Sequence, residues 1–332
     1  MAQAQLVNSF KTYSAVGNRE DLSNVIYNIA PSDTPVLTAI GSESATSTKH
    51  EWQTDSLAAP AENAQVEGFE ADIEKSTPTE RLYNYTQIFS KTVAVSETQE
   101  TVDKAGRSSE MAYQTAKRMK EIKLDMEFAI LSNTASSAGS SSDSAATARK
   151  LGGFPAWLET NSSYGAGGKA GSDGSTAAIA GTKRQMSEDF LTTVLTSIYE
   201  NGGKMRSMYV APDMKGFISK NFGGTGDKVT TYRKEESKTA GVVVEVYQSD
   251  FGLVDIVPNR VMAATSLKNF IYIIDPAYAS IAWLRRLGRK PLADTGDNKK
   301  ALMTAEMTLT VRNEKAHGII GDVQTTTASS GG

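Results

Sequence analysis

Along residues 301–312, ALMTAEMTLTVR, apolar and polar side chains alternate without a break. Met303, Ala305, Met307, Leu309 and Val311 fall on one face, and Thr304, Glu306, Thr308, Thr310 and Arg312 on the other. A period of two marks an extended strand. YNYTQIFSKTVAV, residues 83–95, repeats the pattern and predicts one strand with Tyr83, Tyr85, Phe89, Val93 and Val95 on a shared face. GVVVEVYQSDFGLVDIVP predicts a hairpin turning near Ser249 to Gly252, and NFIYIID and SIAWLRR predict two more strands.

The period changes over residues 107–132. Met111, Thr115, Met119, Ile122, Met126 and Ala129 recur every three or four positions. That is one narrow apolar stripe on a helix of roughly 39 Å at 1.5 Å per residue. Ser108 or Ser109 can cap its start, with Glu110 in the first turn, and Lys117, Lys120, Glu121, Lys123 and Asp125 cover much of the remainder. A second helix is predicted over 187–203. Ser187 caps it, Phe190, Leu191, Val194, Leu195, Ile198 and Tyr199 form a wide apolar face, and Gly202 with Gly203 ends it. SMYVAP then reads as a strand and DMKGFISKNF as a short helix. Near the start, Leu22, Val25, Ile26 and Ile29 fit a short helix that stops before Pro31, followed by Pro35, Val36, Leu37 and Ile40. This segment cannot bury those side chains within itself and needs a surface to lie on.

Other stretches lack a period. Residues 51–75 carry Glu51, Asp55, Glu62, Glu67, Glu70, Asp72 and Glu74 against the single base Lys75. An aperiodic excursion leading into a long strand predicts an extended β-hairpin. Residues 132–150 and 160–183 are rich in Ser, Gly and Ala and predict mobile loops that pack no core. Phe154, Trp157 and Leu158 anchor the chain between them. The sum is an α+β protein with its strands concentrated late and no internal repeat.

Composition narrows the chemistry. The chain has 332 residues, no cysteine and only two histidines. Disulfides, thiolate nucleophiles and thiolate metal sites are excluded, and a histidine-rich metal site has too few ligands. A net charge of −3 gives no electrostatic case for wrapping nucleic acid. The start, MAQAQLVNSF, has neither the basic nor the apolar region of a signal peptide. No run approaches the roughly 18 apolar residues of a membrane helix.

Three motifs invite a chemical reading. His50 lies beside Glu51, with Trp52 and Asp55 close behind, and a histidine among carboxylates has the look of a metal site or a general acid–base pair. No further ligand has metal spacing, and nothing resembles a GxSxG nucleophile elbow. The alternative is a polar contact with Trp52 as its apolar anchor. NFGGTGDK, residues 221–228, lacks the contiguous Gly-Lys-Ser/Thr of a phosphate loop, because Asp227 separates Gly226 from Lys228. RRLGRK, with Arg285, Arg286, Arg289 and Lys290, is the densest basic cluster, set between a strand and a turn-rich loop. In a homo-oligomer it could pair with the acidic stretch, Glu67, Glu70 and Asp72 included, on another copy. Asn161-Ser162-Ser163 matches a glycosylation triplet without a secretion signal to give it meaning.

NVIYNIAPSDTPVLTAIG, KHEWQTDSLAAPAENAQVEG and the late LTVRNEKAHGIIG carry a resemblance. With the order of elements, the chain resembles the major capsid proteins of tailed bacteriophages, of the HK-ninety-seven-like fold, over most of residues 19–321. The resemblance implies an N-terminal arm at 1–47 and an E-loop at 48–92. It implies a peripheral domain at 93–150 with its spine helix at 107–132, and an axial domain at 151–264. Residues 265–332 would return to the peripheral domain and end in a tail, with the 285–300 loop at the contact between capsomers. His50, Glu51, Trp52 and Asp55 would be structural contacts at the E-loop base. The implied protein is a self-assembling shell subunit, not an enzyme, and takes no cofactor. Its partners would be copies of itself in hexamers and pentamers, a separate scaffolding protein, a portal, a decoration protein, and packaged DNA on the inner face. Rival readings are a nanocompartment shell that encloses enzyme cargo, and a hydrolase using His50 with Glu51 or Asp55.

Overall fold

The computed structural model of the chain describes residues 33–70, 78–104, 106–141, 146–222, 246–264 and 266–326. The helix expected around Leu22 to Ile29, Asp72 and most of NFGGTGDK lie outside the described residues.

The first layer is a four-stranded sheet in the order β1-β11-β12-β4. Here β1 is Gly41–Ser44, β4 Gln87–Ser96, β11 Ala279–Pro291 and β12 Asn298–Val311. β1 runs parallel to β11, and the other two pairings are antiparallel. Register pairs Phe89 with Ala305, Lys91 with Met303 and Val93 with Ala301. These share a face, and Lys91 reaches Asp125 of helix α3 (Glu110–Leu131) at 2.9 Å, so this face is the one α3 covers.

α3 begins where its cap dictates. The Ser109 hydroxyl accepts from the Ala112 amide at 3.1 Å. The Glu100 carboxylate, at the end of helix α2 (Glu97–Thr101), accepts from the Glu110 and Met111 amides at 2.9 and 3.1 Å. Together they answer donors that a helix start leaves open. The expected stripe is buried at Met111, Thr115, Ile122 and Met126, and half-buried at Met119 and Ala129. The stripe also takes in Glu127. This buried carboxylate accepts from the Val36 and Leu37 amides of helix α1 (Pro35–Ala39) at 3.0 and 2.7 Å, and from Asn259 at 2.7 Å. Val36 and Ile40 are buried beside it. The surface that Pro35 to Ile40 needed is therefore α3 of the same chain.

The second layer is a six-stranded sheet in the order β5-β13-β10-β7-β9-β8. These are Ser162–Ser163, Gly318–Ile320, Ile271–Ile274, Ser207–Val210, Gly252–Pro258 and Val246–Ser249. Helices α5 (Glu188–Glu200) and α6 (Pro212–Asn221) pack beside it. β8 and β9 form the expected hairpin, with Ser249 opposite Gly252. Buried side chains of both layers make one contiguous core, into which the short helix α4 (Phe154–Trp157) inserts entirely. The strands within 266–326 divide between the layers. β11 and β12 are the two central strands of the first sheet, while β10 and β13 are neighbours in the second.

Four expectations change. The run 83–95 is two strands: β3 (Glu80–Tyr85) ends at Thr86, and β4 starts at Gln87 with a new partner. Tyr83 and Tyr85 are half-buried while Asn84, of opposite parity, is fully buried. Tyr199 leaves the apolar face of α5 and stacks on Phe251 at 4.9 Å, 57% exposed. On β12, Glu306, Thr308 and Thr310 are buried as well as the apolar face, because the strand is central and covered on both sides. The described parts of 132–150 and 160–183 are held by main-chain hydrogen bonds, although most of 137–150 stays exposed. Backbone bridges link Ser137 to Lys150 and Lys169 to Ile179. Small residues let main chains approach where larger ones could not: a Cβ on Gly165 would lie 1.9 Å from the Thr182 carbonyl oxygen. Asp322 then ties the loop down, accepting from the Gly165 and Gly181 amides at 3.1 and 2.8 Å.

Candidate assembly surfaces

The hairpin of β2 (Lys49–Thr54) and β3 pairs His50 with Asn84 and Trp52 with Leu82. Alternation along β2 separates the residues that sequence put together. His50 and Trp52 turn to one face and Glu51 to the other. His50 Nε2 lies 3.4 Å from Glu43 of β1, and Glu43 also takes Arg312 at 2.8 Å. Glu51 pairs with Lys49 at 2.6 Å, and that hydrogen bond holds its carboxyl below the usual range. Asp55 accepts from the next amide, Ser56, at 2.9 Å. No shared centre of His50, Glu51 and Asp55 exists for metal or hydrolytic chemistry. Among the described residues, no group of three or more His, Cys, Asp or Glu is placed to hold a metal ion.

This face instead fastens the hairpin to the body. The Trp52 indole donates to the Val311 carbonyl at 2.9 Å and packs 5.2 Å from Trp157. Asn84 uses both ends of its amide. It donates to the carbonyls of Leu309 and Gly152 at 2.8 and 3.2 Å and accepts from the Gly152 and Tyr85 amides, each at 2.9 Å. Beyond this base the described loop, 55–70, is exposed throughout. Glu67 and Glu70 are exposed there without an ion pair among the described residues, and Leu57, Val66 and Phe69 are 99, 77 and 53% exposed.

The basic cluster lies on the end of strand β11, not in a loop, because β12 pairs with it as far as Pro291. Arg285 is not available to a partner. Its guanidinium grips Glu306 of β12 through Nε and a terminal nitrogen, both at 2.8 Å. Arg149 reaches the same carboxylate at 2.6 Å, and the Thr86 hydroxyl donates to it at 2.8 Å. Burial would raise the Glu306 carboxyl, but Thr86, Arg285 and Arg149 outweigh it and hold it low. Arg286, Arg289 and Lys290 remain exposed, with no ion pair among the described residues.

Sequence reasoning missed Glu43, Asn84, Arg149 and Glu306. Glu306 left a signal as the lone acid in a strand of Thr, Met and Leu. Asn84 left none. Leu57, Val66 and Phe69 were visible as apolar residues stranded in an acidic, aperiodic stretch.

Two sheets, a capped long helix and a projecting hairpin are the architecture of the phage capsid shell fold of HK-ninety-seven-like type. The capsid asymmetric unit of cyanophage A-1(L) matches it with a TM-score of 0.64 at 10% identity, covering 93% of this chain and 98% of that one. A Mycobacterium phage Bobi structure matches at 0.60 and 12%, covering 93% and 96%. The structure of phage G major capsid and decoration proteins matches at 0.54 and 11%, covering 98% and 100%. The major capsid protein of Escherichia phage Phieco32 is 41% identical over 127 residues, which is 38% of this chain and 36% of that relative's length. Residues 7–324 match the family described as SU10 major capsid protein, and the chain belongs to that family.

Proposed function

We propose that this chain is the major capsid subunit of a tailed phage, assembling in the host cytoplasm into the icosahedral head that encloses double-stranded DNA in the virion. The observation that carries the reading furthest is the hairpin loop. It holds large apolar side chains and acids that nothing among the described residues of its own subunit covers. Apolar residues so placed are satisfied by a neighbouring surface.

In this reading residues 1–47 are the arm, 48–92 the E-loop, and 93–150 with β11 and β12 the peripheral domain. Residues 151–264 with β10 and β13 form the axial domain that gathers in hexamers and pentamers. Arg286, Arg289 and Lys290 meet Glu67, Glu70 and Asp72 of an adjoining copy, while His50, Glu51, Trp52 and Asp55 orient the E-loop from its base. A separate scaffolding protein, a portal and a decoration protein complete the partners. Each contact is modest, and their simultaneous formation supplies the stability. Buried area should exceed the roughly 2,000 Å² of ordinary obligate pairs.

Negative-stain microscopy of the protein, made with and without its genomic neighbours, tests this. Shells, or rings of five or six, are expected. Compact monomers in both preparations would reject it.

A further inference from the structure

The charges of α3 are unequally committed. Glu110 is held by Arg107 and by Gln114 at 2.7 Å. Glu121 takes Arg118 at 2.7 Å and Lys91 at 3.5 Å. Asp125 takes Lys91 at 2.9 Å, and Glu127 is buried against α1. Every acid of the helix thus has a partner, and Arg118 is used by one of them. Lys117, Lys120 and Lys123 are left, all exposed and without an ion pair or hydrogen bond among the described residues. They stand three residues apart, on one ridge of the helix, at axial steps of about 4.5 Å. The apolar stripe of Met111, Ile122 and Met126 is buried and turned away from the row, and α1 covers the lysine side only farther along, at Glu127.

We propose that this lysine row contacts the phosphate backbone of double-stranded DNA, and so that α3 faces the interior of the shell. The inference rests on the capsid reading. Charge complementarity favours a duplex over an acidic protein segment. B-DNA offers one negative charge per about 1.7 Å, so the roughly 9 Å of the row meets phosphates in any register. Lysine supplies mobile point charges that need no fixed partner geometry. A short row on a chain of net charge −3 binds weakly, and DNA packed against many copies can still slide and leave.

The test is duplex binding by the soluble full-length chain, followed by fluorescence anisotropy of a short labelled duplex across a salt series. Contact with three phosphates gives a slope of log K against log salt of about −2.7, or about 40-fold weaker binding over a fourfold rise in salt. The variant Lys117→Gln/Lys120→Gln/Lys123→Gln is expected to bring the slope near zero while still forming shells. A control, Arg286→Gln/Arg289→Gln/Lys290→Gln, changes net charge equally and should keep the wild-type slope. An unchanged slope in the α3 variant overturns the proposal, as does an equal loss in the control. Tighter binding of polyglutamate than of duplex to the wild-type row would also overturn it, assigning the row to an acidic protein. Absence of shells from the wild-type protein would reject the capsid reading itself, a result the anisotropy does not share.

Discussion

Glu306 shows what one buried charge can organise. Its side chain is 4% exposed, and it joins β12 to Arg285 on β11, to Arg149 within the 137–150 loop, and to Thr86 between β3 and β4. Glu306→Gln keeps the shape but removes the charge that two partly solvated guanidiniums face, which should cost about 2 kcal/mol in urea unfolding of the soluble subunit. Because its carboxyl is held low in the fold, its contribution is present above the ordinary carboxylate range and is lost as acid protonates it. His317 acts in the same direction by a different route. It is fully buried, accepts from the Asp275 amide at 3.2 Å, and desolvation pushes it down to about 4. The unfolded chain therefore binds the extra proton first, and stability falls as pH drops from 6.5 towards 4, by up to about 3 kcal/mol. Glu127 opposes them: burial raises its carboxyl, so its penalty is relieved as pH falls. Unfolding midpoints measured between pH 7 and 4 should decline, and His317→Gln should flatten that decline.

At the scale of elements, what was legible followed from uninterrupted periodicity. The β12 alternation, the α3 stripe with its Ser109 cap, and the β8–β9 turn each depend on local pattern alone. The break at Thr86 was illegible because parity runs straight through it. Only the change of partner, from β2 to β12, turns the buried position from Asn84 to Phe89. The partner of the His50 contact was illegible for a related reason. Its partner Glu43 is close in sequence but reaches it through a strand held by β11, which no spacing rule reveals. The Gly- and Ser-rich segments looked loose because their packing is main chain on main chain, which leaves no hydrophobic signature. Two substitutions test these joints. Asn84→Leu removes the side-chain hydrogen bonds to Leu309, Gly152 and Tyr85 and should speed amide exchange across β2 and β3 well before global unfolding. Gly174 has φ +68, and a Cβ there would lie 2.3 Å from the Trp157 ring, so Gly174→Ala should destabilise the subunit by about 2 kcal/mol or more in the same urea measurement.

For the whole molecule, folding and assembly make separable demands on the chain. Leu57 and Phe69 lie beyond the hairpin's fastened base and contribute nothing to the subunit core. Leu57→Asp with Phe69→Asp should leave circular dichroism and melting of the soluble subunit unchanged, while shells vanish from micrographs. The break at Thr86 bears on the mechanics of such a shell. The backbone passes through it from β3 into β4 with only a single residue outside a strand. A neighbour that tugs on the hairpin therefore pulls β4 lengthwise along β12, over all ten of its residues. Hydrogen bonds loaded in that direction share the force and must yield together, whereas a ladder peeled from one end gives way rung by rung. In a shell of the proposed kind the hairpin would be roped to the sheet along its line of strength, and outward pressure from tightly packed contents would spread across the wall instead of concentrating at a joint.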